Sequence, residues 1–429
     1  MSAPPGLEDA RAARSAGAPW LSVALMDARN RTLRWLGRFE GAEQPDARAM
    51  GARRAAATEL PEPWRLIGRA GWFQEFWVAR HVQRARGAQA DSLATRLASI
   101  EPLADAWFDP LRARPARREA GAGIGQGEPA GDLPPPTFAS LRAYLAATLE
   151  TTLELLETAE PTDEGLHVYR LALRHEDRLG ERLACLAHWC GIGPGSGEGL
   201  GAPPPARPER EPLGVPARRF RPGVPPGAPG FVPLNELGGQ EEAVPEFEID
   251  AQAVSWARFV PFAEDGGYDD PRWWSEDGWA WVQASGRRAP RGVAQWRGAV
   301  VLERLGRLVR VPAGEAAAHL SFHEAQAWCR WAGRRLPTEI EWELAASSAG
   351  PRGFVWADVR EWAAGRARLW PGAAGRSVAG CVPPDPALGL RVLRGASSWT
   401  TPRDRQLHAR CFVAPWRDEL FCGFRSCAA

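Results

Sequence analysis

Residues 319–346 read HLSFHEAQAWCRWAGRRLPTEIEWELAA. The stretch holds two S/T-x-x-E patterns, Ser321 with Glu324 and Thr338 with Glu341. In such a box the hydroxyl and the carboxylate each take up a backbone N–H that a helix start leaves without a partner. Phe322, Ala325, Trp328, Cys329 and Ala332 recur at helical spacing, so the first helix buries one face. Gly333 is placed to take the left-handed conformation just past its end. Pro337 cannot continue a helix and marks the approach to the second one. The stretch predicts helix, tight turn, helix.

The rest of the chain sets the frame for this pair. At 429 residues it is too long for one ordinary core, so two or more domains are expected. A net charge of +1 gives no electrostatic case for nucleic acid or for an acidic membrane surface. All 53 basic residues are Arg. With Ala, Gly and Pro also abundant, this points to a GC-rich coding bias, and Arg runs alone carry little meaning. No stretch approaches the ~20 apolar residues a membrane helix needs, and MSAPPGLEDARAARSAG at the start lacks an apolar signal core. Scattered cysteines make no disulfide framework. The expectation is a cytoplasmic protein with free thiols.

Four amphipathic stretches precede the pair: 19–44, 63–86, 137–158 and 163–191. Their lengths predict an up-and-down four-helix bundle over 19–191, with 110–136 as a long surface loop. Residues 192–232 are rich in Pro and Gly and predict a linker without helix or ladder. Short β-prone pieces and Trp-rich turns then fill a second domain, 233–429.

The string RLPTE-x-EWE-x-AA (335–346) resembles the signature of the formylglycine-generating-enzyme-like domain, as does RVLRGAS-W (391–399) followed by GFR (423–425). EDGGYDD-RWWSEDGWAW (264–281), LMDARNRTL (25–33) and GWFQEFWVAR-VQR (71–84) resemble the ergothioneine sulfoxide synthases and selenoneine synthases, the last leaning towards selenium. The resemblance implies an α+β chain of two domains. A DinB-like four-helix bundle comes first, and a sulfatase-modifying-factor, C-type-lectin-like domain follows. It implies Fe(II) held by three imidazoles at the domain interface, and O2. It also implies hercynine as acceptor, with a selenosugar or a thiol as donor of the chalcogen joined to C2 of its imidazole.

The implied iron ligands map poorly onto this chain. Where the family has Gly-His-x-x-Trp-Phe, the string is Gly68-Arg69-Ala70-Gly71-Trp72-Phe73, and Arg69 holds the ligand position. Arg cannot be deprotonated to bind a metal. Where it has H-E-x-x-H, the string is His175-Glu176-Asp177-Arg178-Leu179, so only His175 remains. His81 lies ~18 Å from Arg69 along a continuous helix and cannot substitute. Either the chain is a synthase by ancestry, or it is a homologue without iron that keeps the fold and acts as a binding or partner protein. Cys422 and Cys427 are expected on opposite faces of one final strand, unable to share an ion. On the substrate side, Arg80 and Arg84, a turn apart on one helix, face either a carboxylate or sugar, or solvent. Trp399, Phe421, Arg425 and the Trp cluster of 272–281 either line a pocket for a trimethylammonium group or belong to the core.

Overall fold

In the computed structural model the described residues are 6–56 (43–56 as backbone only), 61–110, 133–195, 199–373 and 383–429. Most of the expected 110–136 loop therefore lies outside the described residues. The first half is helical: α1 (Ala12–Ser15), α2 (Ala18–Ala56), α3 (Pro63–Gln74), α4 (Ala104–Phe108), α5 (Phe138–Glu157) and α6 (Asp163–Cys190). The four long helices pack on one another, each with an apolar face turned inward. Local rules set their ends. Thr137 and Thr162 cap α5 and α6 through their hydroxyls, and Gly191 closes α6 at φ 77°.

One helix differs from expectation. Instead of running to residue 86, α3 ends at Gln74 and passes into a π turn at Glu75–Ala79. The buried Glu75 carboxylate accepts from Tyr144 Oη at 2.6 Å, from Ser99 Oγ at 2.8 Å and from the Ile100 N–H at 2.7 Å. Those bonds draw the following chain back across the bundle. Arg80 and Arg84 consequently sit on different elements and do not share a helix face.

The second domain carries β1 (Leu213–Val215), β2 (Arg218–Phe220), β3 (Glu242–Val244), β4 (Phe247–Ile249), α7 (Trp256–Glu264) and α8 (Glu276–Ser285). β5 (Val293–Gln295), β6 (Val301–Arg304), β7 (Arg307–Arg310), α9 (Phe322–Trp331), β8 (Arg334–Arg335) and α10 (Glu339–Ser348) follow. β9 (Arg360–Ala363), β10 (Arg391–Arg394), β11 (Arg410–Val413), β12 (Cys422–Gly423) and β13 (Cys427–Ala428) complete it. The sheets run β1-β4-β13-β8, β11-β10-β9-β12, β5-β6-β7 and β2-β3. Part of the expected linker is thus structured: β1 pairs with β4 and β2 with β3. Pro212 and Pro216 flank β1 and Pro222 follows β2, so no proline falls inside these three-residue strands, while Gly214 sits within β1 opposite Glu248. Cys422 and Cys427 lie in different sheets, not on one strand.

The 319–346 stretch folds as its residues dictate. Both capping boxes close, α9 through Ser321 and Glu324, α10 through Thr338 and Glu341, and Gly333 stands at φ 63°. One polar knot anchors α10. Glu343, wholly buried, accepts from the Gly223 N–H at 2.6 Å, faces His408 Nδ1 at 2.8 Å and pairs with Arg394. Burial pushes its pKa up. Arg394 first, then His408 and the Gly223 N–H, outweigh this and hold it at about 2.

A carboxylate depressed in the fold contributes stability above its ordinary value of 4.5, and that stability is lost as pH falls from there towards about 2. The contribution is at most about 3 kcal/mol. Urea unfolding between pH 5 and 2.5 is expected to show this slope in the native chain and a flatter one in Glu343→Gln. An equal slope in both would remove Glu343 as its source.

Candidate functional site

Helix α6 positions the site, because successive faces of it meet different neighbours. Glu176 turns into the bundle, where it takes Arg29 Nε at 2.8 Å, Thr32 Oγ1 at 2.8 Å and Gln74 Nε2 at 2.8 Å. Arg174, Asp177, Arg178 and Glu181 turn the other way, towards the second domain. Asp177 receives Arg403 through Nε at 2.7 Å and a second nitrogen at 2.8 Å. Arg174 pairs with Glu236, and Arg178 Nε lies 3.4 Å from Asp404. Glu181 is held by Arg360 at 2.6 Å, Ser397 Oγ at 2.7 Å and Thr400 Oγ1 at 2.9 Å. Beside these ion pairs the two halves share one apolar core, in which Trp35, Leu66, Phe73, Leu179 and Leu183 meet Phe231, Trp399 and Phe421.

Between the halves, next to His175, lies a cavity of about 200 Å³. The bundle contributes Phe73, Leu171, Arg174, His175 and Arg178, and the second domain contributes Phe231, Leu234, Asn235 and Phe412. Phe73 stacks flat on the His175 ring, with centroids 3.7 Å apart and planes 6° apart. The His175 Nδ1 is buried and has no hydrogen-bond partner. Burial, then the charges of Arg69, Arg182 and Arg178, keep the imidazole's pKa well below its usual 6.5, so the ring is neutral at physiological pH.

The pairing of α3 with α6 locates Arg69 and Leu179. Phe73 meets His175, Gln74 meets Glu176, and Gly87 lies so close to Glu164 that a Cβ there would come within 2.7 Å of the Glu164 Cα. From Gln74 beside Glu176 to Gly87 beside Glu164 the numbers rise along one segment as they fall along α6, so the two run antiparallel and Arg69 stands towards residue 179 and beyond. Arg69 donates Nε to the Phe108 carbonyl at 3.2 Å. Burial first, then Arg182, lower its pKa to about 10, and it stays cationic at neutral pH. Leu179 is 2% exposed and belongs to the shared core.

Three imidazoles for Fe(II) are therefore not available at this corner. His175 offers one nitrogen, while Glu176 and Asp177 are spent on Arg29 and Arg403. Among the described residues no group of three or more His, Cys, Asp or Glu side chains can hold a metal ion.

The other residues singled out in the sequence lie elsewhere. Arg80 grips Asp105 with two nitrogens at 2.8 and 2.9 Å and gives Nε to the Leu97 carbonyl, so its donors are consumed in the bundle. Arg84 lies near Tyr169 and partly offsets the rise that burial gives its hydroxyl's pKa. Arg425 is wholly buried, paired with Glu361 and bonded to the Asp250 carbonyl at 2.9 Å. Trp399 and Phe421 stack on each other at 5.1 Å inside the shared core and do not line the His175 cavity. The Trp cluster packs in the second domain's own core, with Trp274 bonded to the Gly267 carbonyl at 2.8 Å. Phe231, Asn235 and Phe412 were not foreseen. Leu171, Arg174, His175 and Arg178 repeat at three- and four-residue spacing and carried a legible sign of one helix face.

A sulfatase-modifying factor enzyme 1-like domain matches residues 224–379. The hercynine oxygenase of Mycolicibacterium smegmatis is 30% identical over 366 residues, 80% of this chain and 73% of that protein. The hercynine oxygenase of Mycolicibacterium thermoresistibile is 30% identical over 350 residues, covering 80% and 70% respectively. The formylglycine-generating enzyme of Mycobacterium tuberculosis is 35% identical over 100 residues, 23% of this chain and 28% of that one. No helix among the described residues is long and apolar enough to cross a membrane.

Two measurements check this geometry. Glu181→Ala leaves Arg360 buried without its carboxylate, and a loss of about 3–5 kcal/mol in urea unfolding is expected. A loss under 1 kcal/mol would mean the interface does not lean on that pair. The His175 ring resonance is expected to stay flat from pH 8 to pH 5. A midpoint near 6.5 would show that the ring is neither buried nor faced by the neighbouring guanidiniums.

Proposed function

Because the chain belongs to the ergothioneine-pathway sulfoxide synthase family, with its formylglycine-generating-enzyme-like domain, we propose that it binds hercynine in the cavity between its two halves. The observation that carries this reading is the lining of that cavity. Phe73, Phe231 and Phe412 give it aromatic faces from both halves, and a quaternary ammonium is attracted to such faces. Arg174 and Arg178 at the rim of the same space are paired with Glu236 and Asp404, and only Arg174 Nε and one Arg178 terminal nitrogen, which lack hydrogen-bond partners, are left to meet a ligand carboxylate. The neutral His175 ring, held flat by Phe73, offers a hydrogen bond to a second imidazole.

A second reading is favoured by the family and by the position of His175. It is the joining of selenium or sulfur to C2 of hercynine, with O2 and a selenosugar or thiol donor. That chemistry draws on Fe(II), and Arg69 and Leu179 do not fit a three-imidazole site, so no step of it is assigned to these residues. On the first reading the protein is a hercynine-binding or partner protein without resident iron.

Calorimetry on the metal-free chain is expected to show saturable hercynine binding, weakened about tenfold or more by Phe412→Ala. No saturable binding in the native chain would sink the proposal. Anaerobic Fe(II) is expected not to load, whereas tight binding at one equivalent would move the assignment to the synthase. Arg69→His combined with Leu179→His is expected to create Fe(II) binding. The new imidazole at 179 has to be stabilised by the metal, since an unpaired polar group there costs about 1–3 kcal/mol.

A further inference from the structure

A second cleft, of about 530 Å³, opens in the second domain between β3, the first turn of α10 and the segment that follows β9. That segment alternates. Arg366, Arg368 and Trp370 line this cleft, whereas Leu369 lines the cavity beside His175. Side chains two apart share a face of an extended chain and stand about 7 Å from each other. The Ala367 N–H donates to the Leu390 carbonyl at 2.8 Å, and Arg410 donates to the Arg368 carbonyl at 2.8 Å, so the segment is held in place. Arg366 and Arg368 are exposed, and their side chains make no hydrogen bond or ion pair among the described residues. The carboxylates of α10 do not answer them. Glu339 takes two bonds from Arg410, at 2.6 and 2.9 Å, and Glu341 takes Arg335 at 2.7 Å. On the same wall the indole N–H of Trp370 is buried and has no hydrogen-bond partner.

Another wall of the cleft is a strand edge. β3 pairs with β2 along one side and with no strand along the other among the described residues. Four consecutive residues, 242–245, line the cleft. A strand does this with its backbone edge, because its side chains alternate between faces. Such an edge accepts an added strand. We infer that the cleft binds an extended acidic segment of another protein, added to β3 as a strand, with carboxylates two residues apart meeting Arg366 and Arg368. The repeat of about 7 Å along such a segment matches the spacing of the two guanidiniums, and each fork takes a carboxylate bidentately. The Trp370 N–H is left for a peptide carbonyl. Glu242, exposed and without a partner among the described residues, works against acid beside it and confines the acidic run to the arginine side. The inference does not rest on hercynine binding, since none of these side chains lines the cavity beside His175.

The test titrates the full chain into a short labelled peptide that alternates Glu and Thr, and follows fluorescence anisotropy at physiological salt. Saturable binding is expected, with none for the same peptide carrying Lys in place of Glu. Arg366→Gln and Arg368→Gln, both at exposed positions, are each expected to weaken binding about tenfold or more. Glu242→Gln is expected to tighten it. Methylating every second backbone nitrogen of the peptide is expected to abolish binding in one of the two alternating sets and to spare it in the other, as strand addition requires. Binding that neither set of methyl groups disturbs, or that succinate displaces at equal carboxylate concentration, would reduce the cleft to a small-anion site and overturn the strand. Self-association of the chain that blocks the peptide would assign the edge to a second copy instead. Absence of saturation, or equal affinity in the native and both arginine variants, would overturn the inference outright.

Discussion

Everything in this protein leans on α6 having to satisfy two partners at once. Its bundle face must close an apolar core around the buried Glu176–Arg29 pair, while its opposite face must meet a second domain built from short strands and turns. The ion pairs at Asp177 and Glu181 are fully desolvated, so removing either partner leaves a buried charge. Such pairs contribute little net stability but fix register. Here they fix how the second domain sits on the helix, and with it the shape of the space beside His175.

That constraint explains what stands in place of a metal site. Leu179 is a packing residue of the core the two halves share, and it contributes through the water it excludes. Arg69 is tethered by its Nε to the Phe108 carbonyl at the end of α4.

Much of the fold was legible because it is set by local chemistry. Two capping boxes, Gly333 and three of the four amphipathic stretches appear where spacing and cap residues place them, and the second begins there but stops at Gln74. The interruption of α3 was not legible, because it depends on Glu75 being gripped by Ser99, Ile100 and Tyr144, residues remote in sequence. Strands β1 and β2 were hidden for a similar reason. Their ladders come from β4 and β3, while their own composition reads as linker. At the site, His175, Arg69 and Leu179 could be picked out because a resemblance supplied a motif to compare. Arg80 and Arg425 looked like ligand contacts only because an unpaired guanidinium and a salt-bridged one read alike in sequence. Asp105 and Glu361 decide the matter in three dimensions. Phe231 and Phe412 come from segments 181 residues apart, and no pattern in either announces that they face one cavity.

The cavity and the metal corner can therefore have separate fates. Each wall of the cavity is held by contacts that need no ion: Phe73 by its stack on His175, Arg174 by Glu236, and Phe412 by the β10–β11 ladder. Replacing an imidazole by a guanidinium removes a ligand and leaves those contacts untouched. A site whose shape depended on coordination bonds would collapse under the same change. Here the cavity walls are held by packing and interdomain charge pairs, so the shape of the cavity does not depend on a metal.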